Sequence, residues 1–156
     1  CSEFGISKYF ITPGMRKEIN IYGLWENYKD IQKAGYIVIF EAEKSVLKRD
    51  SRMDPTGGAI EGHVLSDEQV RIILGIGVDE VVIAMDNDVP IEEIWDMCEK
   101  FYGLRKVSYI RDRWKLLGPK DSPADAPNKI YNFLFKWRVP YDESKHRKYL
   151  KSLKNN

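Results

Sequence analysis

The chain has 156 residues, of which 25 are lysine or arginine and 24 are aspartate or glutamate, so that its formal net charge is +1. A length of this order favours one domain. Because the positive and negative charges balance, the net charge does not indicate which class of partner the protein binds. Two cysteines, Cys1 and Cys98, exclude a disulfide framework and a four-cysteine zinc site within the chain.

The first part of the chain contains one strand with a strong signal. Tyr36–Phe40 is a continuous apolar run, which is typical of a strand covered on both faces. Its neighbours have weaker patterns, marked by turn residues such as Gly35 and Pro55. The elements predicted up to residue 60 are a strand at 19–22, a helix at 24–32, a strand at 36–40, a helix at 44–48, a turn region at 50–58 and a strand at 59–60.

The second part alternates helices and strands. Ser66 and Gln69 match a capping box, and Pro90 suits the first turn of a helix whose apolar face includes Cys98. The elements predicted here are a helix from 66 to 77, a strand at 81–85, a helix from 90 to 103, a strand at 106–110, a loop at 112–127, a helix at 130–137 and a polar, basic helix or frayed tail at 144–153. This order predicts an α/β fold with a parallel sheet of about four strands and helices on both faces.

Carboxylates directly follow two of the buried strands. Glu41 comes after the strand at 36–40, and Asp86 and Asp88 come after the strand at 81–85. Because ligands bind outside the carboxyl ends of parallel strands, we expect the three side chains to converge there. Clustered carboxylates repel one another, and a hard cation such as Mg²⁺ or Mn²⁺ would relieve the repulsion. The alternative is that Asp86 merely ends a strand and Asp88 caps the next helix.

Two further acids follow the fourth strand. Asp121 and Asp125 could supply a second carboxylate pair, and therefore metal ligands, at the same edge. Pro123 and Pro127 equally favour a solvated turn.

Positive charge is concentrated in two segments, 105–120 and 145–154. The residues expected to bind nucleic acid are Arg111, Arg113, Lys115 and Lys120. They would contact the phosphate backbone, and Trp114, if it is exposed, would stack on a base, unless the segment is only a solvated loop. Neither His63 nor His146 is assigned a role. The chain has no run of 18 apolar residues and no visible secretory signal, so we expect a cytoplasmic protein without membrane association.

These features together resemble the Toprim domain, which is shared by bacterial-type DNA primases, two classes of topoisomerase and two groups of nucleases. The resemblance lies in Glu41-Ala42-Glu43-Lys44-Ser45 after the first strand and in Asp86-Asn87-Asp88 after a later strand. The segments 21–24 and 62–69 look like the flanking segments of phage primases. The resemblance covers about residues 20–130.

The resemblance implies a three-layer, Rossmann-like Toprim fold and Mg²⁺- or Mn²⁺-assisted phosphoryl transfer. Glu41, Asp86 and Asp88 would be the catalytic and metal-binding residues, and Glu41 would be either a ligand or a general acid/base. Asp121 and Asp125 correspond only loosely to the family's third acidic pair. A phage-type primase would act on single-stranded DNA and nucleotides, with a replicative helicase as a further partner. A stand-alone nuclease and a non-catalytic nucleic-acid-binding module are the alternatives.

Two departures from the family pattern affect the first motif. Ala42 replaces a glycine that lets the backbone turn tightly, and Ser45 replaces the motif's second acid. The predicted organisation is an approach segment at 1–35, a Toprim domain at 36–130 and a helical, basic tail at 131–156. With about 35 residues before the first strand and no zinc cluster, we expect either a primase fragment or a small stand-alone member.

Overall fold

The computed structural model of the protein describes residues 21–62 and 64–154. The helices are α1 (Leu24–Ala34), α2 (Glu43–Ser51), α3 (Asp67–Ile76), α4 (Ile91–Glu99), α5 (Asn128–Lys136) and α6 (Glu143–Lys154). The strands are β1 (Tyr36–Phe40), β2 (Gly57–Ala59), β3 (Glu80–Ala84), β4 (Lys106–Tyr109) and β5 (Val139–Pro140), and a 3₁₀ helix spans Pro123–Asp125.

The strands form one sheet in the order β2-β1-β3-β4-β5. The first four are parallel, and β5 pairs antiparallel with β4. The predicted α/β class, with a mostly parallel central sheet, is confirmed, but the sheet has five strands and not about four. The fifth was missed because it is two residues long and contains Pro140, so it has no apolar run to reveal it.

The sheet separates two apolar cores, which gives the molecule three layers. On one face, Ile37, Ile39 and Ile83 pack with residues of α1, α3 and α4. On the other face, Val38 and Phe40 pack with residues of α2 and α5. Consecutive strand residues point to opposite faces, so a strand between two helical layers must be apolar throughout. The continuous run in β1 therefore reflects its position in the middle of the sheet.

Most predicted boundaries lie within a few residues of the observed ones. The capping box is present, with Ser66 accepting from the backbone of Gln69, and Gly77 ends α3 in the left-handed conformation that glycine adopts without strain. β3 begins at Glu80, one residue earlier than predicted. The first two residues of the proposed strand at 19–22 lie outside the described residues, as does His63, and Tyr22 forms an isolated antiparallel bridge with Ala59.

Among the described residues, no helix has the length and apolarity needed to cross a bilayer.

Candidate metal centre and nucleic-acid interface

Three carboxylates meet at the edge of the sheet where β1 and β3 end. The two strands are neighbours, with Phe40 level with Ala84, so the chain leaves both at the same height. Glu41 follows β1 directly, and Asp86 follows β3 after Met85. These two residues and Asp88, here called the acidic trio, each offer a carboxylate oxygen, and the three oxygens lie within 4.8 Å of one another. The structure thus brings together the three residues that the motifs suggested.

The loop that carries Asp86 and Asp88 is held by main-chain contacts. The Val89 amide donates to the Asp86 carbonyl at 3.0 Å, and the Asn87 amide donates to the Asp121 carbonyl at 2.8 Å. Arg111 Nη1 donates to the Val89 carbonyl at 3.0 Å. Helix α4 begins after Pro90 with no side-chain cap, so Asp88 does not serve as its cap. The helix-capping interpretation of Asp88 is therefore wrong.

Asp86 is the carboxylate whose ionised form this arrangement destabilises. The pKa of Asp86 is raised to about 6, mainly by burial and then by the charge and hydrogen bonding of Glu41 and the charge of Asp88, while the charge of Lys44 opposes the rise. Asp86 Oδ1 is buried and has no hydrogen-bond partner among the residues that the structure describes. A hard cation with oxygen ligands would satisfy this atom and offset the repulsion. The donor set therefore fits Mg²⁺ or Mn²⁺.

Asp121 and Asp125 are not gathered into the acidic trio. Asp121 Oδ2 accepts from the Gly118 amide at 2.9 Å. Asp125 accepts from the Ser122 amide at 2.8 Å and forms an ion pair with Lys48. Burial raises the pKa of Asp125, but the Lys48 and Ser122 hydrogen bonds lower it more, and the net shift is downward. Both carboxylates are thus used in local contacts, and metal binding by them stays a prediction.

Ser45, which departs from the family pattern, is fully buried at the start of α2. Its hydroxyl donates to Ser122 Oγ at 3.0 Å, and Ser122 in turn accepts from the Ala124 amide. This position therefore joins α2 to the 3₁₀ helix and does not present a charge to the acidic trio.

The predicted basic segment is divided between two roles. Arg113, Lys115 and Lys120 are exposed, whereas Arg111 is half-buried and supports the loop of the acidic trio. Trp114 is 39% exposed, and the Arg113 guanidinium lies 4.9 Å from the centre of its ring. Phosphate binding by the four basic residues stays a prediction, and the role of Arg111 in the loop was not anticipated.

The sequence reasoning also missed the role of His146, which is buried against α4. His146 Nε2 lies 3.1 Å from Asp96 Oδ1, and Nδ1 lies 2.6 Å from the Tyr141 hydroxyl. Asp96, Glu99 and His146 form a second cluster of potential metal ligands within the described residues. Because both ring nitrogens already have polar partners, the geometry is that of a contact fastening α6 to α4. In the sequence His146 lies between Lys145 and Arg147, so the local pattern predicts an exposed residue and not a buried one.

No protein-family model matches the chain. The SPbeta prophage-derived uncharacterized protein YorJ of Bacillus subtilis (strain 168) is 29% identical over 140 residues, covering 78% of this chain and 37% of that protein. The Aquifex aeolicus primase, solved as its zinc-binding and RNA polymerase domains, matches with a TM-score of 0.70 and 17% identity, over 90% of this chain and 36% of that one.

A DnaG primase catalytic domain bound to ssDNA matches with a TM-score of 0.65 and 13% identity, over 83% of this chain and 42% of that one. The chain thus spans well under half the length of each of these proteins. The recognition of a Toprim fold is confirmed: the chain has the fold of the Toprim-containing catalytic cores of bacterial DNA primases.

Proposed function

We propose that this chain is the metal-dependent nucleotidyl-transfer module of a phage-type DNA primase, acting on single-stranded DNA and nucleotides. The observation that carries the proposal is the convergence of Glu41, Asp86 and Asp88, whose ligand oxygens lie within 4.8 Å of one another at the sheet edge. In parallel sheets this edge is where ligands bind.

Within the acidic trio, Asp86 and Asp88 would hold Mg²⁺ or Mn²⁺, and Glu41 would be a third ligand or a general acid/base. A bound ion would offset negative charge on phosphate oxygens. Arg111 would fix the Asp86–Val89 loop through its bond to the Val89 carbonyl, so that the two aspartates keep their places when substrate arrives. Lys44, whose charge opposes the pKa rise of Asp86, would moderate the repulsion.

The choice of substrate rests on the relatives. The similar solved structures are primase catalytic domains, one of them bound to single-stranded DNA, and the Bacillus relative is prophage-derived. Since the chain covers only part of each of them, primer synthesis and contact with a replicative helicase are proposals for a longer protein or an assembly.

A second candidate is a nucleic-acid-binding Toprim module without turnover. One observation favours it. Asp121 accepts a hydrogen bond from Gly118, and Asp125 contacts Ser122 and Lys48, so neither carboxylate joins the acidic trio. Under this hypothesis the acidic trio binds a cation that positions phosphate without bond cleavage.

The deciding experiment is incubation with labelled single-stranded DNA and nucleoside triphosphates, with and without Mg²⁺. The unsubstituted chain, and the longest natural protein that contains it, are each compared with the corresponding Asp86→Asn variant. Asp67→Asn is the matched control, because Asp67 is an exposed acid at the start of α3. Mg²⁺-dependent primer synthesis that Asp86→Asn abolishes and Asp67→Asn retains supports the proposal. Strand cleavage indicates the nuclease, and binding without product indicates the second candidate.

A further inference from the structure

We propose that Trp114, Phe133 and Trp137 form a stacking site for bases of single-stranded nucleic acid. Together with Arg113, these side chains line an open groove of about 420 Å³, here called the aromatic groove. The inference shares with the proposed function the nucleic-acid substrate, but it does not depend on the metal or on any catalytic step.

The aromatic groove joins two separate elements. Trp114 lies in the loop after β4, Phe133 lies on α5, and Trp137 follows the last residue of α5. The rings of Trp114 and Phe133 meet edge to face, with centroids 4.8 Å apart and an angle of 68° between their planes. This contact holds the loop tryptophan against the helix and keeps the groove open between rings of defined orientation.

The aromatic groove is not part of the hydrophobic core. Helix α5 buries Tyr131 and Leu134 against the sheet, and Ile130 and Phe135 pack partly buried against the same core. Phe133 and Trp137 are four residues apart and therefore share another face of the helix. They are 38% and 49% exposed, and Trp114 is 39% exposed. Three large aromatic side chains in one exposed groove exceed what the packing of this fold requires, and such patches mark binding surfaces.

The positive charge around the aromatic groove favours binding of a polyanion. Residues 111–120 and 128–136 together carry six basic side chains and one acidic one, Asp112. The Asp112 carboxylate is already used, because it accepts from the amides of Leu116 and Leu117. Cations also lie against the rings: the Arg113 guanidinium is 4.9 Å from the Trp114 centroid, and Lys136 Nζ is 5.9 Å from the Trp137 centroid.

The aromatic rings and the surrounding positive charge of the groove match a ligand with flat π-faces and regularly spaced negative charge. Single-stranded nucleic acid is such a ligand. In a duplex the bases stack on one another and their faces are not available. An apolar peptide would fill the groove but would leave the surrounding cations without partners. The aromatic groove therefore suits a single strand whose bases enter between the rings while its phosphates meet the basic side chains.

The test is the affinity of the whole chain for a fluorescein-labelled single-stranded oligothymidylate of about 16 nucleotides, measured by anisotropy in EDTA. We expect Trp137→Ala and Phe133→Ala each to weaken binding by about 5-fold or more, because each removes a stacking surface. Trp25→Ala is the matched control, since Trp25 is equally exposed, at 39%, and lies on α1 against Tyr28. Trp137→Phe should restore most of the affinity.

Salt dependence distinguishes stacking from charge. Trp137→Ala should leave the slope of log affinity against log salt unchanged, whereas Arg113→Ala should lower it by about 0.7. Affinity in Trp137→Ala and Phe133→Ala that matches Trp25→Ala overturns the proposal. The proposal is also overturned if sedimentation shows that the chain self-associates and that Trp137→Ala abolishes this association without loss of oligonucleotide affinity, since the groove would then be a protein contact. Because binding is measured in EDTA, it reports on the aromatic groove without any metal, so failure of the catalytic proposal would appear separately, in the Mg²⁺-dependent assay, from failure of this one.

Discussion

Strand β3 carries an acid at each end, and the two acids have opposite environments. Glu80, the first residue of the strand, accepts hydrogen bonds from Arg138 Nε at 2.6 Å, from Arg138 Nη2 at 3.0 Å and from the Ser108 hydroxyl at 2.6 Å. Although burial raises the pKa of Glu80, these hydrogen bonds hold it below its usual value. Asp86, just beyond the other end, faces two further carboxylates, and its pKa is raised to about 6.

The comparison shows how one strand can serve both stability and binding. At the amino end, the Glu80 carboxylate is paired with Arg138 and hydrogen-bonded to Ser108, and these contacts tie β3 to β4 and to the residue before β5. At the carboxyl end, the negative charges exceed the nearby positive ones, so the fold tolerates a repulsion that a bound cation would remove. A carboxylate that is costly to the fold is a better indication of function than one that stabilises it.

The largest expected effect is the loss of cation binding when the carboxyl end is changed. Asp86→Asn should lower Mn²⁺ affinity more than 100-fold, because it removes a ligand as well as a charge. Isothermal titration measures this directly. Glu80→Gln, which changes the other end of the same strand, should keep the wild-type affinity. Equal affinities for Mn²⁺ in Asp86→Asn and the wild type would rule out the site.

The next effect is on the amino end. Glu80→Gln should lower the free energy of unfolding by about 2 kcal/mol, because it leaves the partly buried Arg138 guanidinium without its charged partner. Denaturant titration provides the measurement. The control is Glu143→Gln, which breaks the more exposed Glu143–Arg147 pair within α6 and should cost less than about 1 kcal/mol. Similar losses in both variants would contradict the comparison.

Acid pH should reduce the contribution of Glu80. Its folded pKa is below the ordinary value of 4.5, so its stabilisation is fully present above that value and is lost as the pH falls through the folded pKa. The difference in unfolding free energy between wild type and Glu80→Gln should therefore be constant near neutral pH and shrink below about pH 4. A difference in unfolding free energy that grows as the pH falls would contradict the predicted direction of the effect.

A smaller effect of opposite sign is expected at the carboxyl end in the absence of metal. Asp86→Asn should stabilise the metal-free protein by about 1 kcal/mol, after allowance for solvent screening, because it removes one of three repelling charges. This corresponds to a rise in Tm of about 2–4 °C for a chain of this size. Thermal unfolding in EDTA tests it, and a lower Tm than that of the wild type would show that the trio is not repulsive.

The smallest effect concerns the basic loop. Lys115→Ala should lower the salt slope of single-stranded DNA binding by about 0.7 if Lys115 contacts one phosphate. The exposed Lys148 of α6 provides the matched control, and Lys148→Ala should leave the slope at the wild-type value. A slope that is the same in Lys115→Ala and the wild type would indicate a solvated loop.

The sequence predicted the centre of the fold well because that part is governed by local patterns. A strand between two helical layers must be apolar throughout, so β1 and most of β3 are recognisable as continuous runs. The carboxyl ends of such strands then lie side by side by topology, which is why the positions of Glu41 and Asp86 could be predicted. Strand β5 could not, because it depends on pairing with β4 and has almost no pattern of its own.

The rest of the site depends on contacts between residues far apart in the chain. Asp125 is adjacent to Lys48 only after the 3₁₀ helix has packed on α2, and Arg111 reaches Val89 only after β4 lies beside β3. No spacing rule relates such pairs. The exposure of Trp114 could likewise be stated only as a condition, since neither Phe133 nor Trp137 was identified as its neighbour.

The hydrogen bond between Ser45 and Ser122 restricts the residues that position 45 can accept. An aspartate at position 45 would place a carboxylate in a fully buried site against the Ser122 hydroxyl, among packed side chains. An acid at position 45 would therefore destabilise the fold unless position 122 changed as well. The two serines thus behave as one mutational unit, in which each side chain determines what the other position tolerates.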